Sequence, residues 1–325
     1  MDDLNEFLDR FPVVDENNLI EYDELMDKGE YKLGGRRNKR FYRASTALLG
    51  ELFDELNNNP ECSYITPFND LIKNQNYIPK HMSVILKESF MDFSIREVLS
   101  SRIYNFFGVK TTYDMLVRKD DKLLVMSTDF VSEGEKVCNF YDDICVGIDC
   151  WLENDILHMT KEFTRIYNIS KIVDDVISYE EFKEDLDNYI EDYVYQFLVK
   201  RYVVGEMDIY GWNECAIIDQ KFHLKSCPVF DKEFAFGLDY NLYDSEMYEN
   251  LKYVKIMYPQ IYNKFQSKVH DMMSQKQGQS REYERIMRDN FPELQPHSKP
   301  YIDYVSRSLA NIQKLCKKIN NELLM

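Results

Sequence analysis

Between Gly205 and Gly237 the sequence sets an aspartate, Asp208, five residues ahead of an asparagine, Asn213. Two short apolar runs follow, and a second aspartate, Asp231, closes Pro228-Val229-Phe230-Asp231. Residues of these types at these intervals suit phosphoryl transfer. The first carboxylate can accept or orient the proton of an attacking hydroxyl, while the asparagine and the second carboxylate offer hard oxygen ligands to a metal ion that bridges nucleotide phosphates. Such groups must converge at one end of a cleft, and a hairpin between Asn213 and Asp231 would return the chain to bring them together. Upstream, Val84-Ile85-Leu86-Lys87 is an apolar, β-favouring run ending in lysine, and Glu97 lies inside the helical pattern that follows. A lysine so placed can hold the α- and β-phosphates, with the glutamate as its ion-pair partner. A plainer alternative stands beside each reading. Asp208 and Asn213 are residue types that cap and turn chains anyway, and Lys87 could be a surface lysine beside an amphipathic helix.

The elements that must position these residues can be read from periodicity. The first ~75 residues read as helical and mostly polar, with an apolar stripe from Ala44 to Asn57 stopped by Asn57-Asn58-Asn59-Pro60. Met82 to Lys87 reads as a strand, and Phe93 to Phe107 as a helix with Gly108 as its stop signal. Thr112 to Val117 and Lys122 to Met126 read as a hairpin across Arg118-Lys119-Asp120-Asp121. From about residue 140 the pattern is helical, most clearly over Tyr179 to Val204. Cys215 to Ile218 and Leu224 to Phe230 interrupt it as two short strands. After Gly237 the chain reads as helical to its end, with breaks at Pro259, Gly278 and Pro292 to Pro300.

Composition narrows the classes. The chain has 325 residues, 44% hydrophobic and 30% charged, with 11 Gly and 9 Pro, which excludes a disordered or low-complexity protein and allows roughly two domains. No apolar run reaches the ~18 residues of a membrane helix. The acidic start Met1-Asp2-Asp3-Leu4-Asn5-Glu6 lacks the order of a signal peptide, and the 7 cysteines are odd in number and unpaired in spacing. A cytoplasmic protein with reduced thiols is expected, or one secreted without a classical signal peptide. The formal charge of −17 repels phosphate backbones, so general nucleic-acid binding is not expected, nor is a membrane partner. The GxSxG, HExxH and GxxxxGK[ST] motifs are missing, and the 5 histidines are scattered singly.

The stretch from about Met82 to Gly237 resembles the HipA-like (CtkA-like) bacterial Ser/Thr kinases. Ile95-Arg96-Glu97-Val98-Leu99-Ser100-Ser101-Arg102-Ile103, ending in Phe107-Gly108-Val109, is similar to that family's E-x-x-A-S-R-I helix. Gly205 to Asn213 is similar to G-N-x-D-R-H-x-x-N, and Pro228 to Asp231 to P-I-F-D. Val125 to Phe130 resembles the strand that leads into the hinge and an x-D-F segment. The resemblance implies an α+β, two-lobed protein-kinase-like fold. Its parts would be a helical N-terminal extension (1–75), a small mixed N-lobe (76–130) and a largely helical C-lobe (131–325). It implies ATP- and Mg-dependent phosphorylation of Ser or Thr on a protein substrate. Asp208 would be catalytic, Asn213 and Asp231 metal ligands, and Lys87, Glu97, Ser127 and Asp129 nucleotide-binding. Lys32-Leu33-Gly34-Gly35-Arg36 is the candidate glycine-rich loop. Lys232-Glu233 departs from the family, which usually has a small residue after the metal aspartate. Rival readings stay open: a non-catalytic pseudokinase or helical interaction protein, or a small-molecule kinase of the same fold.

One further patch is basic. Tyr31 to Gly50 holds Lys32, Arg36, Arg37, Lys39, Arg40 and Arg43 with no acidic residue. It reads either as a solvated loop or as an anion site. Ser45 is expected to cap the helix beginning at Ala44. The resemblance also implies that Ser45, or else Thr46, is a self-phosphorylation site, its phosphate held by these arginines.

Overall fold

The computed structural model describes residues 6–21, 39–75, 77–139, 179–207, 215–221, 223–237, 240–274, 281–288 and 294–323. Its contacts divide the chain into two units, one of residues 1–133 with 228–233, the other of 134–227 with 234–325.

The first unit is built on a five-stranded antiparallel sheet in the order β1-β2-β3-β5-β4. The strands are β1 (Leu19–Glu21), β2 (Lys39–Ser45), β3 (His81–Glu88), β4 (Asp114–Lys119) and β5 (Lys122–Thr128). Side chains alternate between the faces of a strand, so the register fixes what each face carries. Leu86 pairs with Met126, Val84 with Tyr42, Met82 with Ala44, and Val117 with Leu124. All eight are buried in one apolar cluster with Leu49, Leu52, Phe53, Leu56 and Tyr64. The opposite face carries Lys87 paired with Val125, Ile85 paired with Ser127, and Ser127 paired in turn with Asp114. A one-residue slip would drive Lys87 into the apolar cluster, and the hydrophobic pattern forbids it.

The expectation of a helical segment over 1–75 is corrected here. Leu19–Glu21 and Lys39–Ser45 are strands of this sheet, and the longer helices among the described residues of this segment are α1 (Gly50–Asn58) and α2 (Asn69–Gln75). The stripe read from Ala44 is 3-10 helical from Thr46 and α-helical only from Gly50; Tyr42 and Ala44 are instead the buried positions of an alternating strand. Ser45 precedes a 3-10 turn, Thr46–Leu49, and makes no side-chain cap. Its N–H is bonded to Asn18 O at 2.9 Å. The basic residues Arg40 and Arg43 therefore stand on a strand, while residues 22–38, including the Gly34-Gly35 loop, lie outside the described residues.

Helix α3 (Met91–Phe107) follows β3 almost directly and ends at Gly108, whose φ of 73° is the left-handed cap conformation open to glycine. The hairpin β4–β5 turns at Asp120, also left-handed at φ 54°.

The second unit holds a three-stranded antiparallel sheet of β6 (Lys136–Asn139), β7 (Cys215–Ile218) and β8 (Leu224–Ser226). Its helices are α4 (Tyr179–Leu198), which packs on β8, and α5 (Tyr240–Met257), α6 (Pro259–Met273), α7 (Glu282–Arg288) and α8 (Gln295–Glu322). Helix α4 runs into a fully buried π-helical turn, Val199–Val204. β8 is shorter than its apolar run, because Pro228 cannot donate to a ladder and the chain leaves the sheet there. Of the expected break at Pro292 to Pro300, residues 289–293 lie outside the described residues, but the part from Gln295 is corrected: α8 begins there and runs through Pro300, which has no N–H to give to the helical ladder. Among the described residues no helix is long and apolar enough to cross a membrane.

Candidate functional site

Strand β3 delivers Lys87 near its end, and α3 starts soon enough that Glu97, ten residues on, arrives in its second turn. Eleven of the 17 residues of α3 are buried, polar ones included, so each buried polar group must find a partner. Ser100 and Ser101 bond to backbone carbonyls, and Arg102 reaches Tyr64 Oη at 2.9 Å while stacking on Tyr113. Glu97 meets the ammonium of Lys87.

The segment Pro228–Glu233 is fastened to the loop before β4 by its backbone. Val229 N–H donates to Lys110 O at 2.8 Å, and Thr112 N–H donates to Val229 O at 3.2 Å. Phe230 packs its ring against Phe130. Asp231 comes next, at φ 59°, in the left-handed region that non-glycine residues seldom occupy, although aspartate tolerates it better than most. Its Oδ1 stands 3.6 Å from Lys87 Nζ. The adjacent Lys232 is completely buried. Its Nζ contacts Asp114 Oδ2 at 2.6 Å and both Thr111 Oγ1 and Thr112 Oγ1 at 2.9 Å, and its N–H faces Glu97 Oε1 at 3.4 Å.

Among the described residues, two ammonium groups thus meet three carboxylates. Asp231 is the most accessible of the three, its side chain 15% exposed against 1% for Glu97 and 0% for Asp114. Burial disfavours the charged form of Lys87, but Glu97, Asp231 and Asp114 together outweigh it and hold the lysine above its ordinary value. Burial likewise raises Glu97 and lowers Lys232, each opposed by its own partner. Among the described residues no cluster of three or more His, Cys, Asp or Glu side chains is arranged to hold a metal ion. A single accessible carboxylate is still a fitting donor for Mg²⁺, which takes one or two carboxylates and completes its shell with phosphate oxygens and water.

The structure therefore brings Lys87, Glu97 and Asp231 together. Ser127 lies on the same sheet face as Lys87, buried, with an Oγ that has no hydrogen-bond partner among the described residues. Asp129 is buried just past β5, where its carboxylate accepts Val131 N–H at 3.1 Å and turns the chain. Asp208 and Asn213 lie outside the described residues. Sequence reading missed Asp114, Thr111 and Thr112, and noted Lys232 only as a departure. The signal was there in Asp114, a carboxylate opening the apolar run Met115-Leu116-Val117, since a charge buried in a strand demands a counter-charge.

No protein-family model matches the sequence, and no curated protein matches it. Among solved structures the chain is similar to the Helicobacter pylori proinflammatory kinase CtkA, with 11% identity, 87% of this chain and 95% of that chain covered, and a TM-score of 0.42. It is also similar to a chain of the Shewanella oneidensis MR-1 toxin–antitoxin complex of HipA, HipB and operator DNA. There the identity is 10%, 94% of this chain and 73% of that chain are covered, and the TM-score is 0.40.

Proposed function

We propose that the chain is an ATP- and Mg-dependent phosphotransferase, a Ser/Thr kinase of HipA-like type acting on a protein substrate. The observation that carries this reading is the buried Lys87 ammonium, gripped by Glu97 and turned toward the partly exposed Asp231. A lysine kept charged in a dry setting suits the α- and β-phosphates of a nucleotide, and Glu97 fixes where that charge points. Asp231 would hold the metal, with Asn213 as the second ligand in the order the sequence implies. Bound Mg²⁺ would neutralise charge on the phosphate oxygens. Asp208 would orient the acceptor hydroxyl, and Ser127 and Asp129 are proposed nucleotide contacts. The free hydroxyl of Ser127 supports its part in this, because an orphaned buried oxygen costs free energy until something pairs with it.

The test is incubation of the pure protein with γ-labelled ATP and Mg²⁺, followed by detection of phosphate on the protein itself or on an added partner. Mg-dependent thermal stabilisation by ATP together with transfer to Ser or Thr supports the reading. Stabilisation without any transfer would leave a non-catalytic nucleotide binder, and transfer only to a small molecule would leave the other rival.

A further inference from the structure

Lysine is among the residues least often fully buried, and Lys232 has no exposed side-chain surface at all. Its ammonium is ion-paired with Asp114 and donates to Thr111 Oγ1 and Thr112 Oγ1, and Thr112 Oγ1 in turn donates to Asp114 Oδ1 at 3.0 Å. An apolar side chain of like size would fill the same space without dehydrating two charges, and such replacements are often neutral or stabilising. The pair is better explained as fixing geometry. Asp231 sits between two anchors: Val229, held by backbone bonds to Lys110 and Thr112, and Lys232, held by Asp114. Any change of φ at Asp231 swings everything beyond it, so while Lys232 is pinned the left-handed φ of 59° is pinned too. We propose that Lys232 is a positioning residue whose ion pair with Asp114 holds Asp231 in its left-handed conformation, with the carboxylate turned to Lys87 and available to a metal ion.

The consequence for metal binding rests on the phosphotransferase reading; the consequence for the backbone does not. Lys232→Met alone would strand Asp114 in the interior and could unfold the unit. The informative variant is therefore the full-length double substitution Asp114→Asn with Lys232→Met, which removes both charges and keeps the side-chain lengths. Its melting temperature is expected within about 3 °C of wild type. Two measurements then follow on the same preparation: amide hydrogen exchange in peptides covering 228–234, and the Mg²⁺ concentration giving half-maximal ATP binding. Exchange should rise about tenfold or more as the segment loses its anchor. The Mg²⁺ requirement should rise by about tenfold, the usual scale when a group supporting a metal ligand is removed. A folded double variant with wild-type exchange overturns the proposal, and so does faster exchange with an unchanged Mg²⁺ requirement. If wild type itself binds no Mg-ATP while the double variant exchanges faster, the anchoring of Asp231 stands and the phosphotransferase reading falls.

Discussion

Lys87 Nζ stands 3.6 Å from Asp231 Oδ1 while its other side is held by Glu97, although the three residues come from a strand, a helix and a distant loop. Opposite charges this close bias one another strongly. With Glu97 the more deeply buried carboxylate, the structural partner of Lys87 is Glu97, and Asp231 is the carboxylate left with access to solvent.

The Lys87–Glu97 pair should behave as a buried ion pair in stability measurements. Lys87→Met strands Glu97 and is expected to cost about 3–5 kcal/mol. Lys87→Met with Glu97→Gln should recover most of that loss, because no charge is then left uncompensated. Since Lys87 is raised, its contribution in wild type is intact below the ordinary lysine value of 10.5 and fades only above it, whereas in the single variant the stranded Glu97, already raised by burial, makes the cost grow as pH rises. Denaturant unfolding of the four-member cycle checks this, and equal instability of the single and double variants would refute it.

Ser45→Ala should change stability by less than about 0.5 kcal/mol, the range for a side chain that makes no special contact. A helix-capping serine would cost about 1 kcal/mol on the same substitution. The structure shows no cap bond at Ser45, so a loss near that larger figure in chemical denaturation would contradict the strand assignment of this segment.

Gly205 ends the buried π-helical turn at φ 68°, and a Cβ there would lie 1.6 Å from Tyr304 Oη. Gly205→Ala therefore carries both backbone strain and a collision with a buried ring, and a loss of about 2 kcal/mol or more is expected. Adding Tyr304→Phe should return part of it by removing the clashing oxygen. Equal melting temperatures for wild type and Gly205→Ala would sink the account of this turn.

Much of the first unit's second half was legible in the sequence. Met82 to Lys87 is a short apolar run with β-branched residues, Gly108 marks a helix end because it enters the left-handed region freely, and the β4–β5 hairpin announces itself with Asp120-Asp121. Lys87 and Glu97 could be paired through their likeness to a kinase lysine strand and the helix after it. The N-terminal strands could not. In Tyr42-Arg43-Ala44 the two outer side chains are buried and the middle one is not, yet the apolar residues Ala44, Leu48 and Leu52 also satisfy a helical period, and only pairing with β3 decides between the two. The Asp114–Lys232 pair was hidden for a different reason. Its partners are far apart in sequence, and an ion pair leaves no periodic trace; only the improbability of each charge alone in an apolar run hinted at it.

The division of labour between the two aspartates gives the most direct test. Isothermal titration of ATP into wild type, Asp231→Asn and Asp208→Asn, each with and without Mg²⁺, separates metal binding from turnover. The account predicts Mg-dependent binding in wild type, at least about tenfold weaker Mg-dependent binding in Asp231→Asn, and near wild-type binding in Asp208→Asn with turnover reduced by orders of magnitude. ATP affinity that is the same in all three proteins and indifferent to Mg²⁺ would contradict it.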